Sequence, residues 1–168
     1  MHTVQSYIRE QGTAGAVINA VLNPAISWLG NRRMTFVPLT GDQGMIVDTI
    51  ATAIVLSLLV SLFVTPAARR EFDAGRLTGG NIGSFESAVL AHWPSKAWSF
   101  GLLTGVVAAV VLAPLMYALI SLLGSGGLSF AAFVILKAAY TAALGFAVTR
   151  WAILRQMLRH RANPADTG

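Results

Sequence analysis

The chain contains no cysteine. Disulfides, thiolate metal sites and cysteine nucleophiles are therefore excluded, and the redox state of its compartment is left open. Charge is scarce: 11% of residues are Asp, Glu, Lys or Arg, against about 25% in ordinary soluble domains. Histidine occurs only at His2, His92 and His160, all outside the long apolar runs. That placement argues against histidine-ligated haem or chlorophyll inside a membrane and against a buried zinc site. No HExxH, GxSxG or P-loop pattern is present. Without a histidine base, serine chemistry at Ser57 or Ser61 has no activating partner. No metal, no cofactor and no catalytic group is expected, and a lipid-modifying or redox enzyme would need a constellation that is not there.

What remains is apolar. Hydrophobic residues make up 55% of the 168 positions, and the mean hydropathy is +0.64. This is the composition of an integral membrane protein, of a length suited to a single membrane domain. The net charge of +5 does not imply a nucleic-acid partner. The basic residues flank apolar runs, as membrane orientation demands, and form no separate basic domain. The bilayer is the expected partner, with anionic lipid headgroups at the cytoplasmic face.

Four stretches approach the length of about 20 residues that a spanning helix needs: residues 11–29, 45–65, 97–123 and 128–149. They are too continuously apolar for the alternating strands of a barrel, so the expected fold is all-α, with four transmembrane helices. The first stretch is the weakest, because Asn19, Asn23 and Pro24 interrupt it. It is read as an uncleaved span, since no small-residue cleavage site precedes Arg32 and Arg33. Loop 66–96 carries Arg69, Arg70, Arg76 and Lys96, and tail 150–168 carries Arg150, Arg155, Arg159 and Arg161. Four spans with both termini cytoplasmic put these residues and Arg9 inside, leaving Arg32 and Arg33 outside. Three spans would violate the positive-inside rule. The expected location is a bacterial inner (plasma) membrane. Trp28, Trp93, Trp98 and Trp151 fall near span ends, as an aromatic belt requires.

The glycine-rich turn at residues 124–127 predicts that spans three and four form an antiparallel hairpin, mirrored by spans one and two. In the cytoplasmic loop, residues 66–76 are expected to prolong the second helix or start a short surface helix, and Ser84 is the expected cap of a further short helix. Its Phe85, Val89 and Trp93 make an apolar stripe that lies on the leaflet surface or packs under the bundle. The segment 78–83 reads as a flexible breaker, and the last residues as a disordered polar tail. A segment running from Gly15 to Pro24 resembles another from Gly105 to Pro114, at an offset of 90 residues. This suggests a parallel tandem repeat, against the alternative of chance among small apolar residues.

Small residues recur every four positions. Gly101, Gly105, Ala109 and Ala113 share one face of span three, and Thr49, Ala53, Ser57, Ser61 and Thr65 one face of span two. Such faces let helices approach closely, which drives association in lipid. The intramembrane polar residues are the functional candidates. Lys137 is the only charge in its span, and a charge at that depth costs roughly 2.5–3.5 kcal/mol on insertion scales. Asp48, Thr52, Asn19, Asn23 and Tyr140 could meet it in one polar cluster that binds an anion, relays protons or lines a path. The blander alternatives are an interfacial Asp48, a snorkelling Lys137 or a structural Lys137–Asp48 bond, and asparagines that act as interhelical glue.

Two functions follow. One is a transporter- or channel-like protein moving an ion or small polar solute through an oligomeric bundle, because one copy offers little room for a pathway. The other is a non-catalytic accessory or assembly subunit that docks on other membrane subunits.

Overall fold

Long apolar runs fold as helices because lipid offers no hydrogen bonds to a free backbone. The computed structural model of the chain describes residues 2–80 and 82–162. It is all-helical apart from two minimal ladders: α1 (Val4–Asn31), α2 (Met45–Asp73), α3 (Ser84–Ala91), α4 (Ala97–Leu122) and α5 (Phe130–Ala162). Strand β1 (His2–Thr3) pairs in parallel with β3 (Leu77–Thr78), and β2 (Phe36–Pro38) pairs antiparallel with β4 (Gly127–Ser129). Asn81 of the expected breaker and most of the expected disordered tail lie outside the described residues.

Helices α2, α4 and α5 are long and apolar enough to cross a membrane, and mark the chain as a membrane protein. Helix α1 is as long, with 28 residues, but Arg9, Glu10, Gln11, Asn19 and Asn23 keep it below that hydropathy. Length and composition thus carry three spans, not four. The helices also run beyond the apolar stretches. α1 begins at Val4, with the Thr3 hydroxyl accepting from the Ser6 amide at 3.2 Å. α2 runs through Pro66 to Asp73. α5 continues to Ala162, so residues 150–162 of the expected cytoplasmic tail are helical. At 1.5 Å per residue, the 33 residues of α5 reach roughly 50 Å, against about 30 Å of hydrocarbon.

The packing order is not the chain order. α1 packs along α5, α5 along α2, and α2 along α4, while α1 barely touches α2 and α4 barely touches α5. The turn at residues 123–126 reverses the chain, with Gly124 at φ +65°, yet the two helices that it joins lie apart. The expected hairpins exist as chain reversals and not as packed pairs. The reason is the placement of the small residues. A Cβ on Gly101 would sit 2.8 Å from Leu58 Cα, and one on Gly105 would sit 2.7 Å from Ile54 Cα. Ala53, Ser57 and Ser61 are fully buried beneath them, and Ala109 extends the contact. Ser57 and Ser61 have no hydrogen-bond partner for their hydroxyls, so size is what suits them to this face. On the other side, a Cβ on Gly12 would meet the Phe146 ring at 2.7 Å, and one on Gly145 would meet Asn19 Nδ2 at 2.8 Å.

Two apolar clusters close the ends. At one end Val4, Ile8, Phe72, Leu90, Phe100, Ile153 and Met157 pack together. At the other, Val37, Leu39, Met45, Ile120 and Phe133 pack beneath the β2–β4 ladder. Gly127 is required in that ladder, because a Cβ there would run into the Val37 carbonyl. The first cluster also organises α3. Gly83, not Ser84, occupies its N-cap, with no side-chain cap bond. Leu90 is its buried residue, while Phe85 is 75% exposed. Trp93 turns inward, 5.3 Å from Trp151 and 5.5 Å from Phe100 between ring centroids. Of the four tryptophans, Trp28 and Trp98 are exposed as a belt requires, whereas Trp93 and Trp151 are packed.

Gly105→Ala is expected to destabilise the fold by about 1–3 kcal/mol, the usual cost of overpacking. Gly30→Ala should be neutral or slightly stabilising, since a Cβ there meets nothing within 4 Å. Thermal unfolding of both variants in mild detergent measures the difference.

Candidate intramembrane site

Asp48 lies in the first turn of α2, and Lys137 about two turns into α5. The two central helices face each other there, near the β2–β4 end. Lys137 Nζ donates to both carboxylate oxygens of Asp48, at 2.6 and 2.7 Å. The lysine side chain is 4% exposed and the aspartate 30%. A buried ammonium is tolerated only when paired and hydrogen-bonded. The Phe133 ring, one turn earlier on α5, adds a face to the cation with its centroid 5.6 Å from Nζ. Tyr140 is buried, its hydroxyl 3.5 Å from Asp48 Oδ2 and beside Thr49 and Thr52. The site is thus Lys137, Asp48, Tyr140, Thr49, Thr52 and Phe133.

Asn19 and Asn23 stand apart from it. Asn23 Nδ2 donates to Asn19 Oδ1 at 3.0 Å and to the Asn19 carbonyl at 3.2 Å. Asn19 Nδ2 donates to the Gly15 carbonyl at 2.8 Å. These amides satisfy each other along α1, and α1 has little contact with α2. One thread connects the two groups. The Thr141 hydroxyl, fully buried, lies 3.0 Å from the Asn19 carbonyl and 2.7 Å from the Lys137 carbonyl. It ties α1 to the turn of α5 that carries the lysine. Sequence reasoning omitted Phe133 from the site. Its signal was its spacing, four residues before Lys137 on the same helix face.

A second polar region lies at the far end of the helices. Arg150 pairs with Glu86 of α3. Arg155 Nη2 donates to the Trp93 carbonyl at 2.9 Å, Arg159 Nη1 to the Ser95 carbonyl at 3.1 Å, and Arg161 Nη2 to the Gly80 carbonyl at 2.6 Å. Successive turns of α5 therefore clamp the segment between α2 and α4. Arg150 holds the Glu86 carboxyl below the usual range, chiefly through their hydrogen bond.

No protein family, curated protein or solved structure matches the chain. The geometry alone bears on function. Among the described residues, no group of histidine, cysteine or acidic side chains is placed to hold a metal ion.

Asp48→Asn is expected to destabilise the protein by about 3–5 kcal/mol, because it strands a buried ammonium. Lys137→Met should cost less, because the carboxylate left behind is partly exposed. The double variant should recover most of the loss. A double-mutant unfolding cycle in micelles reads all three values. For Glu86, the depressed folded pKa means that its stabilisation is present above the unfolded carboxylate value. It is lost as pH falls through the folded value. Hydrogen exchange over residues 84–91 in the wild type should therefore converge on that of Glu86→Gln as pH is lowered from 7 to 3.

Proposed function

We propose that this is a four-span protein of a bacterial inner membrane, with both termini cytoplasmic, that moves an ion or small polar solute. The observation that carries the reading is the Lys137–Asp48 pair. It joins the two central helices, with the ammonium sealed and the carboxylate still 30% exposed. A bond serving stability alone gains nothing from that access, and apolar residues of similar volume often serve as well. An accessible carboxylate beside a buried lysine is instead suited to exchange a proton or release its partner to an anion.

The packing pattern supports a tandem repeat. With α1 and α2 set on α4 and α5, the contact of α1 with α5 corresponds to that of α4 with α2, and α2 meets α5 across the centre. Gly15 and Gly105, matched at the 90-residue offset, both sit at these close approaches. The ion pair then lies between the halves, where repeat-built transporters place their sites. α1 is the first span of this arrangement, its asparagines shielded by mutual hydrogen bonds. The basic residues of α5 and of the clamped segment share one end, as a cytoplasmic end requires. The assembly is an oligomer, because the grooves between the helices among the described residues open laterally.

A groove of ≈ 370 Å³ between α1 and α2 favours a second reading. It is lined by Gln11, Asn19, Asn23 and Thr149 among aliphatic side chains, and the Thr149 hydroxyl has no partner among the described residues. Acyl chains cannot satisfy such groups, whereas a helix of another subunit can. In that reading the chain is an accessory subunit.

Transport predicts that proteoliposomes of the purified chain take up protons under an imposed potassium diffusion potential, read with a trapped pH dye. Lys137→Ala should abolish the uptake while the protein still inserts and assembles. Unchanged uptake in that variant would sink the transport reading. Stoichiometric co-purification of other membrane proteins, seen by native mass spectrometry, would favour the accessory one.

A further inference from the structure

We infer that the basic end of the helices carries a phosphate-binding site, separate from the Lys137–Asp48 pair and independent of the transport reading. A cavity of ≈ 450 Å³ opens between α2, α5 and the start of α4. Arg69, Lys96 and Arg159 line it, and no acidic side chain does. The nearest carboxylate partner, Asp73, pairs with Arg69 at 3.5 Å through an exposed contact. Arg159 gives one N–H to the Ser95 carbonyl, leaving further donors on its guanidinium.

Two features make this more than a cluster of surface cations. The first is the N-terminus of α4, which opens into the cavity at Lys96 and Ala97. Its cap position, Lys96, makes no side-chain cap bond, and its first turn contains no acid. The Ser99 hydroxyl donates to the Lys96 carbonyl instead of capping the free amides. A 26-residue helix thus presents unneutralised N–H groups and the positive end of its dipole. The second is Gln156. Its side chain is part of the cavity wall although the residue is only 5% exposed. Among the hydrogen bonds of the described residues, none involves its amide. With no partner among those residues, this amide meets the cavity and is free to bond a group that enters it. Thr65, 9% exposed, lines the same wall.

Three cations, free helix amides, a carboxamide and a hydroxyl converging on one cavity match a tetrahedral dianion or a phosphodiester. The cavity also opens beside Leu62, which is 41% exposed on the apolar surface of α2. A phosphate carried on a lipid could seat its headgroup here and run its chains along that surface. A free phosphate could occupy the same donors.

The full-length protein in neutral detergent tests this with two probes. Inorganic phosphate binding is read by phosphorus NMR line broadening. Phosphatidylglycerol retention, against phosphatidylcholine, is read by native mass spectrometry from mixed micelles. Lys96→Gln, at an exposed position, and the near-isosteric Gln156→Glu are each expected to weaken binding by about tenfold or more, as loss of a charge-assisted bond or insertion of a like charge requires. Arg33→Gln, away from the cavity, should bind as the wild type does. Phosphatidylglycerol retention without inorganic phosphate binding identifies a lipid headgroup site. Phosphate binding that displaces no lipid identifies a soluble phosphate ligand. Binding of neither probe, or binding unaffected in both Lys96→Gln and Gln156→Glu with their unfolding temperatures unchanged, overturns the inference.

Discussion

Everything in this bundle depends on how closely two helix pairs can approach. Lipid tails are as apolar as leucine, so burial of apolar surface gives helices little reason to associate in a bilayer. Close contact must supply the attraction. Glycine and serine at Gly101, Gly105, Ser57 and Ser61 bring α4 onto the backbone of α2. Gly12, Gly15 and Gly145 do the same for α1 and α5. These contacts decide that neighbours in space are not neighbours in sequence. They leave α2 and α5 to meet at the centre.

That central meeting creates a buried ion pair within the apolar region. Lys137 would be costly alone, and Asp48 on the facing helix gives its ammonium a hydrogen-bonded partner. Phe133, Tyr140 and the threonines of α2 surround the pair without sealing the carboxylate. Thr141 carries the same region onto α1 through the Asn19 carbonyl. Short polar contacts therefore join the ion pair to all three helices.

At the opposite end, arginines build structure. Arg150, Arg155, Arg159 and Arg161 each hold a different point of the segment between α2 and α4. The segment would otherwise be a loop with unsatisfied carbonyls, and the guanidinium forks satisfy them. The same arrangement leaves Lys96 and Gln156 facing a cavity rather than bonded within the protein.

The residues by themselves determined the class: long apolar helices, a basic end, small-residue faces, and a lysine that needs a partner. Lys137–Asp48 was legible as one possible bond because both positions fall near the same boundary. Asn19 and Asn23 depress the hydropathy of α1, so length and composition carry α2, α4 and α5 as spans. The limits of α1 and α5 were missed, whereas the extension of α2 past Pro66 was one of two readings open to residues 66–76. Hydropathy marks where lipid stops, whereas α1, α2 and α5 continue on hydrogen bonds and a packed cluster beyond that point. Only the tertiary structure decided which faces meet, placing α5 between α1 and α2 and separating the asparagines from the ion pair. Periodicity shows that a helix has a small or polar face. The choice of partner for that face rests on steric fit between two surfaces distant in the chain, and no local pattern encodes it.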